Sequence, residues 1–195
     1  MQKREKLTKK YELLATDSIE VGSHKLHRIR ALRDFGNVRC GDLGGYVETE
    51  DNLSHKGTAW VADDARVLDK GRVSEDGLVS GQAVVLGQAR IFGNARVCGT
   101  ARITDRAWIA DFASVVDEAI VSGQAVMAGH ARAFQRSWIG ESARVGERAS
   151  VGGDARIFGD AWLCGDASIG GITRIFVDRR NSHGPGPRGP SGPAP

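Results

Sequence analysis

The sequence predicts an all-β protein whose main part is a single-stranded β-solenoid, a chain wound into stacked coils of short strands. Three observations predict this fold. A small residue recurs at every sixth position from Ala59 to Thr173, an aliphatic residue follows two positions after nearly every one, and many hexads also contain a glycine followed by Gln, Asn or Asp. Neither column slips over twenty cycles, and such internal periodicity is typical of repeat architectures.

The six-residue spacing predicts one side of a prism. Two apolar positions separated by one residue place both side chains on the same face of a strand. The residue between them points outward, which explains how it can be Arg66 or Arg144. A strand of about three residues and a corner do not match the 3.6-residue period of a helix. If three hexads form a coil, the rod has about seven coils and a length of roughly 30 Å at ~4.8 Å per coil.

The distribution of proline supports this organisation. All five prolines lie in the last eleven residues, as expected if the backbone N–H groups before them enter hydrogen-bonded ladders, to which proline cannot donate. We therefore predict a flexible basic N-terminus at residues 1–10, a small antiparallel β cap at 11–58, the solenoid at 59–177 and a disordered Gly/Pro-rich tail at 178–195.

Short strand patterns define the predicted cap. They cover residues 11–14, 19–21, 25–32 and 45–48, and Gly22-Ser23 is a hairpin signal between the second and third. The open end of a solenoid is a sheet edge, which proteins commonly protect against pairing with other chains. A cap ahead of the first coil is therefore expected.

Two parts of the chain resemble known families. The repeat from Ile139 to Gly152 is similar to the hexapeptide-repeat left-handed β-helix, which implies a triangular coil of three hexads and left-handed winding. The runs 29–38, 41–48 and 52–61, followed by Ala89-Arg90-Ile91-Phe92-Gly93-Asn94, resemble the YdcK-like bacterial and prophage-associated β-helix proteins. This resemblance covers residues 11–177. It implies a small N-terminal domain before the helix and no established reaction, although the fold has led to the label of transferase.

Composition restricts the cellular setting. The three cysteines lie far apart without metal-type spacing, which favours reduced thiols in a cytoplasmic protein. No apolar run reaches the ~20 residues of a membrane span, and the charged start predicts no secretory signal. Residues 1–33 carry nine Lys/Arg against four Asp/Glu within a net charge of +3. A nucleic-acid partner is conceivable for this basic end, but a solvated segment is the favoured interpretation.

Candidate chemical groups are few. Hexapeptide acyltransferases commonly use a histidine base, and the repeat contains a single histidine, His130, at a corner. We interpret it as a surface residue, with a general base as the alternative. His55, in the junction before the repeat, is expected to form a capping hydrogen bond. His24 and His27 are expected to face opposite sides of a strand, so the sequence predicts no metal site and no cofactor.

The outward positions of the repeat provide more candidate binding residues. Counting by eighteen residues assigns them to three columns rich in Arg and Trp, and such surfaces can bind polyanions, sugars or proteins. Because acidic residues crowd the corners, internal Arg–acid pairing is the favoured alternative to an open binding face. The candidate binding-face residues are Trp60, Arg66, Arg90, Arg102, Trp108, Trp138, Arg144, Arg156 and Trp162.

Three functions remain open from the sequence. The first is a structural or interaction protein whose flat Arg/aromatic faces self-associate or bind a protein partner, and the unbroken repeat favours it because no long loop leaves the rod to hold an active site. The second is a hexapeptide-class acyltransferase, based on fold analogy. The third is a polymer-forming solenoid like the bactofilins. The sequence favours a non-enzymatic protein and predicts a homo-oligomer or a protein partner.

Overall fold

A rod of stacked coils, each built from three short strands, forms most of the chain. The computed structural model describes residues 9–178. The predictions of a flexible segment before Lys9 and of a disordered tail after Asp178 lie outside these residues. The strands are β1 Tyr11–Val21, β2 His24–Ala31, β3 Leu43–Val47, β4 Trp60–Val61, β5 Arg66–Val67, β6 Arg72–Val73, β7 Leu78–Val79, β8 Val84–Val85, β9 Arg90–Ile91, β10 Arg96–Val97, β11 Arg102–Ile103, β12 Trp108–Ile109, β13 Ser114–Val115, β14 Ile120–Val121, β15 Val126–Met127, β16 Arg132–Ala133, β17 Trp138–Ile139, β18 Arg144–Val145, β19 Ser150–Val151, β20 Arg156–Gly159, β21 Trp162–Leu163, β22 Ser168–Ile169 and β23 Arg174–Val177.

The strands form three sheets, one for each side of the rod. The ten-stranded sheet has the order β1-β2-β3-β5-β8-β11-β14-β17-β20-β23, the seven-stranded sheet runs from β4 to β22, and the six-stranded sheet runs from β6 to β21. Within the repeat, each strand pairs in parallel with the strand eighteen residues further on, as Arg102 does with Ile120. The solenoid of about seven three-sided coils that the sequence predicts is therefore confirmed. The left-handed winding stays a prediction from the resemblance.

The two inward columns fill the core of the rod. The small-residue positions, such as Ala101, and the aliphatic positions, such as Ile103, are fully buried through most of the coils. Small side chains let the three sheets approach closely, and β-branched side chains suit the pleated surface. No helix among residues 9–178 has the length and apolar character that crossing a membrane requires.

The corners of successive coils are joined by hydrogen bonds between side chains and backbone. Nine non-glycine corner residues adopt left-handed backbone conformations, among them Asp63 with φ of 56°. Side-chain oxygens at these positions accept hydrogen bonds from the backbone N–H eighteen residues on, as Asp63 Oδ2 does from Gly81 N at 2.8 Å. Glu141 Oε2 does the same with Gly159 N at 2.9 Å. Many corner acids thus stabilise the next coil.

The N-terminal cap is continuous with the rod. β1 and β2 form the predicted hairpin around Gly22, with a register irregularity between Leu13 and Ser18. β3 pairs antiparallel with β2 and parallel with β5, where Tyr46 opposes Arg66. The solenoid therefore begins at β3, ahead of the repeat that is visible from Ala59. The connection to the first repeat includes a 3-10 helix at Glu50–Asn52.

The cap closes the first coil. Tyr11 and Ile29 are fully buried and belong to the same core as Val61. Lys10 is also fully buried, so the predicted flexible N-terminus at residues 1–10 does not extend to this residue. It is held because its ammonium group donates to the carbonyl of Ala59 at 2.7 Å.

Candidate functional site

The predicted outward columns lie on the three faces as counted from the sequence. On the six-stranded sheet Trp108 is flanked by Arg90 and Val126. On the ten-stranded sheet Trp138 is flanked by Ile120 and Arg156. Arginine and tryptophan therefore stack along the rod with the spacing of one coil.

The six-stranded sheet carries a groove, which we call the arginine groove. It has a volume of about 670 Å³ and is lined by Ser54, Lys56, Gly57, Arg72, Ser74, Glu75, Asp76, Arg90, Phe92 and Trp108. The indole of Trp108 is 44% exposed. It contacts Phe92 edge-on, with ring centroids 6.1 Å apart, and the guanidinium of Arg90 lies 5.8 Å from its centroid. The groove thus combines an exposed aromatic platform with cations.

The charges of the groove are unevenly engaged. Lys56, Arg72 and Arg90 form no ion pair within residues 9–178. Glu75 accepts a hydrogen bond from Gly93 N at 2.9 Å. Asp76 accepts two hydrogen bonds from Thr58, which lower the pKa of its carboxyl group. The acids are therefore held by local donors, while the cations remain open to an incoming anion.

Internal pairing of the face arginines does not occur within the described residues. None of Arg66, Arg90, Arg102, Arg144 and Arg156 has an ion pair with a carboxylate of residues 9–178. The Arg–acid pairs of the repeat instead use corner arginines, as in Arg136–Asp154 at 2.8 Å and Arg148–Asp166 at 3.8 Å. The favoured prediction of internal Arg–acid pairing was therefore wrong for the five face arginines, although such pairs occur at the corners. Most corner acids face backbone N–H groups rather than the flat faces.

Trp60 is not part of an exposed face. Its side chain is 5% exposed and contacts Phe35 edge-on at 5.4 Å between centroids. Gly44 in β3 lies so close that a Cβ atom there would be 2.6 Å from Cζ2 of Trp60. The prediction of a binding role for Trp60 was wrong because the cap covers this first position of the seven-stranded face.

The ten-stranded face is more closely packed than the arginine groove. Trp138 is partly buried, donates from Nε1 to Ser122 Oγ at 2.9 Å and contacts Phe158 at 5.0 Å between centroids. Arg156 lies 5.7 Å from its centroid. Trp162, at the far end of the six-stranded face, is 74% exposed. Among the candidate tryptophans, Trp108 and Trp162 are thus the accessible ones.

His130 lies at an exposed corner. Its ring is stacked on Phe112 with centroids 5.0 Å apart and an interplanar angle of 9°. Within residues 9–178 its side chain forms no hydrogen bond and no ion pair. A general base is ordinarily oriented by a second group, and none of the described residues supplies one here.

His55 lies at the junction of cap and rod. Its Nδ1 accepts a hydrogen bond from the backbone N–H of Lys10 at 3.2 Å, and its ring stacks on Tyr11 at 4.4 Å. Burial lowers the pKa of His55, which favours the neutral ring. Burial also lowers the pKa of Lys10 to about 8, assisted by Arg33 and opposed by Asp76. These groups tie the N-terminal strand to the first coil.

The structure assembles one cluster that the sequence did not predict. Nδ1 of His24 lies 3.0 Å from Glu48 Oε1, and Nε2 lies 3.5 Å from Asp69 Oδ1. The three ligand atoms are within 4.8 Å of one another, as a metal site would require. However, the two ring nitrogens face different carboxylates: Nδ1 is within hydrogen-bond distance of Glu48 and Nε2 is within ion-pair distance of Asp69. This arrangement suits an imidazolium, in which both ring nitrogens carry a proton. We therefore interpret the cluster as a bridge between hairpin and rod.

The stability of the cap is expected to depend on His24 protonation. Hydrogen bonding to Glu48 raises the pKa of His24 above its ordinary value of 6.5. Its stabilising contribution is then fully present below pH 6.5 and is lost as the pH rises through the higher folded-state pKa. Urea denaturation of the full chain between pH 5.5 and 8.5 should show this loss in the wild type but not in His24→Gln.

The matched control for this prediction is His27→Gln. The ring of His27 lies near the carbonyl oxygen of Leu14, at 3.3 Å, rather than near a carboxylate. This variant should keep the pH dependence of the wild type. Identical pH profiles for the wild type and His24→Gln would contradict the bridging role.

Comparison with known proteins does not assign the chain to a family. No protein-family model matches the chain, and no curated protein matches it. The functional inference therefore depends on the geometry of the chain itself.

Proposed function

We propose that this protein is a non-enzymatic interaction protein that binds an acidic partner protein through the arginine groove. The single observation that carries the proposal is the combination of Arg72 and Arg90, without ion pairs among residues 9–178, beside the exposed indole of Trp108. The groove lies on a β-sheet face in which β9, the strand of Arg90, pairs with β6 on one side and with β12 on the other.

The chemistry of these side chains suits an anionic protein surface. The planar guanidinium of arginine binds carboxylates through two parallel hydrogen bonds, and it is weakly hydrated. Tryptophan contributes a large apolar area that is enriched at the centre of protein interfaces. Because the side chains stand on regularly spaced strands of a rigid rod, little conformational freedom would be lost on binding.

The two other functions have less support. An acyltransferase needs an oriented base, whereas His130 is held only by stacking on Phe112 among the described residues. A head-to-tail polymer needs two complementary ends, whereas the cap covers the N-terminal end of the rod. Membership of the YdcK-like family and a cytoplasmic location remain proposals that rest on the sequence.

Binding of a defined acidic probe tests the proposed function. Poly-L-glutamate titrated into the full chain at low ionic strength should quench the fluorescence of Trp108, and added salt should weaken the binding. Arg90→Ala should lower the affinity roughly 5-fold, the loss of about 1 kcal/mol of charge-assisted binding. In Trp108→Phe the quenching should be absent, which would show that Trp108 is the fluorophore that responds to binding.

The matched control is Arg96→Ala. Arg96 is equally exposed and lies between Leu78 and Ser114 on the seven-stranded face. Its removal changes the net charge as much as Arg90→Ala but should leave the affinity unchanged. Equal losses in both variants, or no binding at low salt, would refute the arginine groove as the binding site.

A further inference from the structure

Within residues 9–178, the rod ends at its C-terminal side in a coil that no further described strand covers; we call it the open coil. β21, β22 and β23 form the outer edges of the three sheets, and no strand within residues 9–178 pairs beyond them. Their outer backbone N–H and C=O groups are therefore unpaired within that range. Such edges favour the addition of another strand.

The same end exposes apolar side chains that are covered in the other coils. Leu163, Ile169 and Ile175 are partly exposed, while the aliphatic residues one coil earlier are almost completely buried. Ile172 is 84% exposed and Phe176 is 67% exposed. Unpaired backbone and an apolar surface thus coincide at one end of the rod.

Residues 179–195 do not have the composition of a covering strand. Residues 179–195 contain five prolines, four glycines and three arginines, and Ala194 is their only apolar residue apart from proline. Proline cannot donate to a strand edge, and glycine has no side chain to pack. A segment of this composition offers few backbone donors for a strand edge and little apolar side-chain surface.

The opposite end is built differently. Among residues 9–178 the outer edge of β1 is unpaired, since β1 is the last strand of its sheet, but the core of the rod beneath it is closed. There the hairpin β1–β2 and residues such as Tyr11, Ile29 and Leu53 cover the first coils, and these three side chains are at most 1% exposed. Head-to-tail stacking of two copies would therefore meet a covered surface. Partly exposed core side chains therefore face each other only where two C-terminal ends meet.

We propose that the open C-terminal coil is the interface of a tail-to-tail homodimer with twofold symmetry. A twofold axis perpendicular to the rod keeps the handedness of the coil but reverses the direction of the strands in the second copy, so the facing strands run antiparallel. Antiparallel pairing is the more stable arrangement per residue. The interface is self-complementary and closes at two copies. It is separate from the arginine groove, which stays accessible on both copies.

The mass of the full chain in solution tests the dimer. Light scattering after size exclusion should give twice the 20.9 kDa of one chain. The double variant Ile172→Asp/Phe176→Asp should be monomeric, because four carboxylates would face each other across the axis. Both side chains are exposed in one copy, so circular dichroism should show an unchanged fold.

Phe112→Asp is the matched control. Phe112 is 57% exposed, but it lies at a corner along the rod rather than at its end. This variant should remain dimeric. A monomeric, trimeric or filamentous wild type, or dissociation by Phe112→Asp as well, would overturn the proposal.

Spin labels distinguish tail-to-tail packing from a side-by-side dimer. Cys164 follows β21 in the last coils, whereas Cys40 lies in the cap, and both thiols are exposed. With the other cysteines replaced by serine, labels on Cys164 should be within roughly 30 Å of each other in a dimer. Labels on Cys40 should be about two rod lengths apart, ~60 Å or more. Short distances from Cys40 would refute the arrangement even if the protein is dimeric.

Discussion

Replacing Gly57 by alanine is expected to destabilise the protein by roughly 2–5 kcal/mol, the combined effect of left-handed strain at ~1–2 kcal/mol and a forced backbone shift at ~1–3 kcal/mol. Gly57 has φ of +68°, and a Cβ atom would lie 2.1 Å from the carbonyl oxygen of Glu75. That oxygen accepts the hydrogen bond from Ala59 N at 2.7 Å. Moving it would disturb the entry of the chain into the repeat.

Gly22→Ala separates the cost of the left-handed conformation from the cost of the backbone contact. Gly22 has φ of +61°, and a Cβ atom there would meet nothing within 4 Å. Urea denaturation of both variants should show a loss of about 1 kcal/mol for Gly22→Ala, from conformation alone. Equal losses for the two variants would mean that the contact with Glu75 can relax without cost.

Replacing Asn52 by alanine is expected to cost roughly 3 kcal/mol of unfolding free energy, because buried backbone groups that lose their partners are costly. The side chain of Asn52 is 1% exposed. Its Nδ2 donates to Gly71 O at 2.8 Å and Asp69 O at 3.1 Å, and its Oδ1 accepts from Thr49 N at 2.7 Å. One amide therefore joins the 3-10 helix to the corner that follows β5.

Two further variants check the assignment. Asn37→Ala, at an exposed position of the cap without a side-chain hydrogen bond among the described residues, should stay within ~0.5 kcal/mol of the wild type. Asn52→Asp keeps the acceptor for Thr49 N but loses both donated bonds, so it should also be strongly destabilised. Wild-type stability of Asn52→Asp in urea denaturation would show that the donated bonds contribute little.

The repeat could be predicted residue by residue. Counting by eighteen from Arg90 places Trp108 beside it, and the structure pairs these two residues. The prediction succeeds because strand alternation and corner conformation are set within six residues of sequence. The hairpin at Gly22 was predictable for the same reason, since its turn signal is local.

The junction could not be predicted, because its contacts join distant parts of the chain. Trp60 occupies an outward position of the repeat, yet β3 and Phe35 cover it. Lys10 is buried because its ammonium group donates to Ala59 O, 49 residues away. The visible repeat starts at Ala59, while the solenoid starts at β3, since β3 pairs with β5 without showing the hexad pattern.

The candidate sites also combine features that the sequence predicts with features that only the structure shows. The columns of Arg and Trp follow from the period, so the sequence placed Arg90 and Trp108 on one face. Whether those arginines are engaged depended on where the corner acids point. Asp63, for example, accepts a hydrogen bond from Gly81 N. The sequence pattern does not show whether such an acid binds a backbone N–H group or an arginine. The arginine groove and the His24 bridge are consequently features of the assembled rod.

By itself, the sequence determined the coil, its register, the inward core and the outward columns, because each depends on interactions that repeat every six or eighteen residues. For residues 9–178, the tertiary structure alone decided which outward residues stay accessible, which cations lack ion pairs within that range, and that its strands cover one end of the rod but not the other. The physical reason is that these properties arise where the periodicity stops. At the cap and at the last coil, long-range packing and unpaired edges replace the repeating contacts.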